Sequence, residues 1–127
     1  MSHPPRITLF GIPNCDTVKK ARTWLEQRDI DYDFHNFKKD GLQSSTINAW
    51  LTQTELSVLI NRKGNTWRTL SDEQKLLADK TADAITLMQT HSSIIKRPVL
   101  QIGDTVITQL CVGFSDAQYQ TIFSSLA

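Results

Sequence analysis

"RITLFGIPNCDTVKKARTWLEQR", residues 6–28, changes its hydrophobic period midway, and that change decides the fold. Residues 6–10 are apolar and β-branched and stop at Gly11 and Pro13, the pattern of a buried strand entering a loop. From Asp16 the period is helical. Val18, Ala21, Leu25 and Arg28 recur on one side while Lys19, Lys20, Arg22 and Glu26 take the other, so residues 16–28 read as an amphipathic helix with Trp24 at its margin. "IDYDFHNF", residues 30–37, then alternates Tyr32 and Phe34 with Asp33 and His35, as a half-buried strand does. Strand, helix and strand make a βαβ opening.

"KKDGLQSST", residues 38–46, is a polar break. Beyond it Ile47, Trp50 and Leu51 follow helical spacing behind serine caps, and a short helix is expected over 57–62, ended by Gly64. Ser71 and Gln74 stand in capping-box spacing, and Thr81 is the expected cap of a further helix whose Ile85 and Met88 face inward. Residues 44–91 therefore read as a helical block. In "RPVLQIGDTVITQL", residues 97–110, two β-rich runs flank Gly103 and Asp104, which predicts a tight hairpin with a two-residue loop. A last helix is expected behind Ser115, with Tyr119, Ile122, Phe123 and Leu126 toward the sheet. This order predicts an α/β fold within a single domain over residues 1–127 and matches a thioredoxin-like core of mixed sheet flanked by helices with an inserted helical block, although the pattern alone also allows other α/β folds.

Composition narrows the function classes. A net charge of +1 gives no reason to expect a nucleic-acid or membrane-surface partner, and no apolar run is long enough to span a bilayer. A cytoplasmic location is the expectation, with Cys15 and Cys111 as free thiols. His3, His35 and His91 lack ligand-like spacing, so no metal site is expected, and no phosphate-binding glycine loop is present. Trp50 and Trp67 are read as packing residues.

Cys15 is the candidate nucleophile. A reactive thiol must be a thiolate, and a helix N-terminus with nearby cations lowers its pKa. Cys15 stands immediately before the expected helix, with Lys19 one turn on. Val18 occupies the position where a two-thiol motif has its second cysteine, so the mechanism is monothiol. An external thiol such as glutathione, or Cys111, must then release the sulfur; the apolar neighbours of Cys111 favour a packing role instead. Arg97 stands where the helical block gives way to the hairpin and could hold a carboxylate or oxyanion beside the thiolate, with Pro98 presenting backbone to a ligand. Arg62 and Lys63 form another basic pair before Gly64.

Over nearly its whole length the chain resembles the ArsC/Spx family of arsenate reductases and related thiol proteins, and most closely its YffB-like branch. The resemblance rests on "ITLFGIPNCDTVKKARTWL", "LINRKGNTWRTL", "IIKRPVL" and "VGFSDAQY". It implies the thioredoxin-like core with a helical insertion, a reactive Cys15, and a cis bond before Pro98. It further implies that Arg97 and Arg62 (or Lys63), with Asn14 and Pro98, hold substrate or glutathione. The third arginine of the arsenate reductases falls on Val112, which weakens arsenate as the substrate. The expected activity is that of a glutathione-dependent thiol reductase with no tightly bound cofactor, glutathione or another small thiol serving as co-substrate and glutaredoxin as a candidate partner. Glutaredoxin-coupled arsenate reduction is the alternative within the enzyme class. The alternative outside it is a regulator that, like Spx, binds RNA polymerase without catalysis.

Overall fold

The computed structural model describes residues 5–104 and 106–125. Two compact units are present: residues up to Asn36 with those from Arg97 onward, and Phe37–Lys96.

The first unit is built on a four-stranded sheet. β1 (Ile7–Gly11) runs parallel to β2 (Asp33–Asn36) and antiparallel to β3 (Val99–Ile102), which pairs antiparallel with β4 (Gln109–Val112), giving the order β2-β1-β3-β4. The register sets Leu9 opposite Leu100, Leu100 opposite Cys111, and Leu9 beside Phe34. Because strand side chains alternate, these four point to one face. α1 (Asp16–Gln27) covers that face with Ala21, Trp24 and Leu25, and a C-terminal helix (Asp116–Ser124) adds Tyr119, closing one apolar cluster. This is the thioredoxin-like core that the order of elements predicts.

The parallel pairing of β1 with β2 requires a crossover, which α1 supplies. Its entry from the sheet is tight. A Cβ on Gly11 would come within 2.8 Å of a Val18 methyl, so the glycine lets the first turn of the helix lie directly against the strand end. Trp24 is more than marginal: it is 5% exposed, stands edge-on to Tyr119 with centroids 5.4 Å apart, and donates from Nε1 to Asp116 at 2.8 Å. That polar tip is what lets a tryptophan enter the core. Ser115 caps the C-terminal helix by accepting from the Gln118 N–H at 3.1 Å. Leu126, expected on its inner face, lies outside the described residues, as does His3.

The hairpin differs from the tight one expected. Ile102 pairs with Gln109, so the connection spans residues 103–108 and not Gly103 and Asp104 alone. The Thr108 N–H returns to the Ile102 carbonyl at 2.8 Å. Gly103 has φ +107° and leaves no room for a Cβ against the Val106 carbonyl. Ile107 is buried, and an apolar side chain drawn inward turns the start of the second β-rich run into part of a wider loop.

The second unit is helical from its first residue, beyond the expected 44–91. It contains α2 (Phe37–Asp40), α3 (Ser44–Trp50), α4 (Leu56–Leu59), α5 (Asn65–Thr69), α6 (Asp72–Leu77), α7 (Thr81–Thr90) and a 3-10 turn (Ser92–Ile94), after which the C-terminal helix is α8. Trp50, Ile47, Leu59, Met88, Ile94 and Ile95 are fully buried. An isolated bridge joins Ile60 to Ile95, flanked by Asn61 N–H to the Ile94 carbonyl and Lys96 N–H to the Leu59 carbonyl, each 2.7 Å. The capping box forms: Ser71 Oγ accepts from the Gln74 N–H at 3.1 Å and Gln74 Oε1 accepts from the Ser71 N–H at 2.9 Å.

Five expected boundaries move. Gly64 does not end a helix but is the N-cap of α5, and the helix over 57–62 is shorter, Leu56–Leu59. Gln43 and Lys80, without side-chain capping bonds, hold the N-caps assigned to serine and to Thr81, which instead open the helices. Backbone geometry at these ends is fixed by packing of Ile47, Trp50, Ile85 and Met88, which outweighs a cap of about 1 kcal/mol. The strand over 30–37 is confined to residues 33–36, because Phe37 is 2% exposed and already begins α2.

Candidate functional site: Cys15 at the start of α1

Cys15 is the N-cap of α1, in extended backbone geometry (φ −110°, ψ 126°), and its carbonyl accepts from the Lys19 N–H at 2.9 Å. Strand β1 ends four residues earlier, so the loop of Ile12, Pro13 and Asn14 delivers the cysteine to the helix start. The first N–H groups of a helix have no intrahelical partner and carry its positive dipole end. Here the sulfur faces those of Thr17 and Val18. It does not close the geometry of a side-chain cap, so the interaction is charge–dipole attraction rather than a capping hydrogen bond.

The other positive charge is Arg97, at the opposite end of the first unit's sequence and at the mouth of β3. Partial burial pushes the Cys15 thiol up, but the N–H groups of Val18 and Thr17 and the Arg97 guanidinium together outweigh it and hold the thiol below its usual value. Cys15 is partly exposed, so the thiolate is open to reactants. A stabilised, accessible thiolate is a competent nucleophile.

The structure thus brings together Cys15 and Arg97, which stand 82 positions apart in the sequence. Pro98 follows a cis peptide bond after Arg97, is buried, and gives its carbonyl to the Gly113 N–H at 2.8 Å. That bond ties the start of β3 to the end of β4 beside Val112. Asn14 is exposed in the turn immediately before Cys15. Arg62 belongs to the second unit, where its guanidinium is 3.7 Å from an Asp79 carboxylate oxygen and 5.0 Å from the Trp67 ring centre. Lys63 is exposed, and its N–H donates to Asn61 Oδ1 at 3.1 Å.

Cys111 is a different kind of thiol. It is 6% exposed within the apolar cluster of Leu9, Trp24, Leu100 and Tyr119, and Sγ lies 3.9 Å from the Gly113 carbonyl oxygen. Among the described residues no group of three His, Cys, Asp or Glu side chains is placed to hold a metal ion, and no helix is long and apolar enough to cross a membrane.

Sequence reasoning did not find the part played by Val18. Its side chain is fully buried against Gly11 while its N–H faces the sulfur, so one residue serves packing and electrostatics together. The signal was present in Gly11, seven residues before Val18, as a close-approach glycine at a strand end.

The chain is similar to known proteins over most of its length. The ArsC family model matches residues 10–122. The solved structure of the YFFB protein is 40% identical, with 95% of this chain and 99% of that one covered and a TM-score of 0.82. An arsenate reductase (ArsC) related protein of Brucella melitensis is also 40% identical, over 97% and 98% of the two chains, with a TM-score of 0.68. The global transcriptional regulator Spx of Listeria innocua is 32% identical over 114 residues, covering 87% of this chain and 81% of its own. With most of its length matched by the family model and Cys15 at the start of α1 in a thioredoxin-like core, the chain belongs to the ArsC family.

Proposed function

We propose that the protein is a monothiol oxidoreductase in which the Cys15 thiolate is the nucleophile and glutathione the reducing thiol. The observation that carries this is the partly exposed Cys15 sulfur set between the α1 N-terminus and Arg97, with its thiol pKa lowered. The thiolate attacks one sulfur of a substrate disulfide. A bond forms between Cys15 Sγ and that sulfur, the substrate S–S bond breaks, and the second substrate sulfur leaves as a thiolate. A glutathione thiolate then attacks the substrate sulfur of the mixed disulfide: a glutathione–substrate S–S bond forms, the bond to Cys15 Sγ breaks and Cys15 leaves as its thiolate, and a second glutathione thiolate, attacking the glutathione sulfur, releases the substrate thiolate and oxidised glutathione. Arg97 stabilises the anionic sulfur and offers its fork to a carboxylate of glutathione. Asn14 and Pro98 complete the proposed glutathione-binding set within the first unit; Arg62, in the second unit, contacts Asp79.

Reduced protein mixed with oxidised glutathione tests the reading by intact mass. Wild type is expected to gain one glutathione adduct and Cys15→Ser none. An adduct on neither protein, or equally on both, overturns it.

Two observations favour neighbouring readings. The Brucella relative is described as arsenate reductase related, and arsenate as an alternative substrate would use the same Cys15 and Arg97; Val112, where the arsenate reductases carry an arginine, argues against it. The similarity to Spx supports a regulator that binds RNA polymerase. Retention of polymerase subunits by the immobilised protein, undiminished in Cys15→Ser, would favour that second reading.

A further inference from the structure

Lys19, Lys20, Thr23, Trp24 and Gln27 of α1, with Phe114 of the β4–α8 loop, line a groove of ≈ 280 Å³. It starts one helical turn beyond Cys15, whose carbonyl accepts from the Lys19 N–H. Trp24, buried and edge-on to Tyr119, and the partly buried Phe114 give it an aromatic floor. Lys19 and Lys20 are its charged lining residues, and the Asp116 carboxylate that accepts from Trp24 Nε1 is paired with Arg28.

The charges on that rim are available. Arg6, Arg28 and Arg62 each pair with an aspartate, whereas neither Lys19 nor Lys20 forms an ion pair with a described residue. Asp16, at helix-neighbour spacing from both, is not bridged to either. Two ammonium groups left over an aromatic floor, beside a nucleophilic sulfur, attract carboxylates and accept an apolar side chain between them. The volume lies just under the roughly 300–1,000 Å³ of sites that enclose small molecules. It suits one or two side chains of a larger partner.

We infer that this groove docks an acidic segment, with an apolar anchor residue, of the protein whose disulfide Cys15 attacks. The inference rests on Cys15 being the nucleophile, and it adds the class of substrate: a disulfide carried by an acidic protein surface. Lys19 and Lys20 select it by charge, and Trp24 and Phe114 hold the anchor.

Peptides of equal length test it. Each carries one cysteine as a mixed disulfide with thiopyridine, flanked by leucine and either two glutamates or two glutamines. Attack by Cys15 on the peptide sulfur joins peptide to protein and releases thiopyridone, whose absorbance gives the rate. Each rate is divided by that of 2-mercaptoethanol, an uncharged thiol, with the same peptide, which removes the peptide's own reactivity. The glutamate peptide is expected to react about tenfold faster at low ionic strength, the advantage vanishing in about 1 M salt, where the Debye length is ~3 Å. Lys19→Gln/Lys20→Gln should abolish the preference while Lys75→Gln/Lys80→Gln, the same charge change outside the groove, retains it. Replacing the leucine by glycine should slow wild type more than Phe114→Ala. Equal rates for the two peptides, or a preference that survives Lys19→Gln/Lys20→Gln, overturn the docking role and leave the nucleophile standing. Failure of every peptide to react overturns the nucleophile itself, and the docking role with it.

Discussion

The two cysteines of this protein sit in one folded unit and are chemical opposites. Cys15 lies at a loop-to-helix junction, partly exposed, with two main-chain N–H groups and Arg97 directed at its sulfur. Cys111 lies mid-strand in β4, 6% exposed, among Leu9, Trp24, Leu100 and Tyr119. The contrast continues in their neighbours. Around Cys15 the polar groups favour a negative charge. Near Cys111 stand the Gly113 carbonyl and Tyr119, whose hydroxyl is fully buried with no hydrogen-bond partner among the described residues and whose pKa is raised, chiefly by burial and further by the charge Cys111 would carry. One sulfur is prepared to ionise, and the other is packed as a small apolar group. Position relative to a helix end, and not residue type, makes the difference.

Exchanging each cysteine for serine gives the largest effect and separates the two environments. Cys15→Ser is expected to eliminate thiol reactivity while leaving stability unchanged or slightly higher, because serine is a preferred N-cap and the N-cap geometry is already in place. Cys111→Ser should keep the Cys15 reaction and lower stability by about 1–3 kcal/mol, the cost of a hydroxyl in an apolar site. Alkylation rate and urea unfolding, run on both variants, check the pair. Equal losses of reactivity would erase the distinction.

Arg97→Gln sharpens the Cys15 side. Removing the guanidinium moves the midpoint of the alkylation rate against pH upward, toward the roughly 8.5 of a free thiol. At neutral pH the rate falls several-fold, and Arg97→Lys recovers part of it. The sign for stability follows from the lowered thiol pKa. Between the folded value and the unfolded value of about 8.5 the unfolded chain binds more protons, so the contribution of Cys15 is fully present above the unfolded value and is lost as pH falls through the folded one. The stability difference between wild type and Cys15→Ser should therefore shift in favour of wild type as pH rises through that window. A pH-independent difference contradicts the lowered pKa.

The smallest effect concerns the Cys111 side. Tyr119→Phe removes a buried hydroxyl that has no partner among the described residues, so stability is expected to stay level or rise by up to about 1 kcal/mol, with no change in Cys15 reactivity. A loss above that size by thermal or urea unfolding would mean that the hydroxyl has a structural partner.

Much of this was legible in the chain. The change of period at residues 6–28 fixes β1 and α1, and the position of Cys15 before an amphipathic run carries the prediction of a helix-end thiol. Ser71 with Gln74 and Ser115 announce their helices because a cap is a local interaction, readable over three residues. Gly64, Thr81 and Gly103 misled for the same reason in reverse. Each is a good local stop or cap, yet the helix ends and the 103–108 loop are set by where Ile47, Met88 and Ile107 are buried. Arg62 was readable as a basic residue but not as a partner of Asp79 and Trp67.

The sequence by itself determined the order of elements, the place of Cys15 before a helix and the absence of a second thiol at Val18, since all three depend on residues within a few positions of one another. Tertiary structure decided that Arg97, which the sequence could only suggest, reaches the Cys15 sulfur, and it alone decided that Lys19 and Lys20 line a groove with Trp24 and Phe114. Those facts join residues far apart in the chain, and only the pairing of β1 with β3 and of β3 with β4 brings them to one end of one sheet.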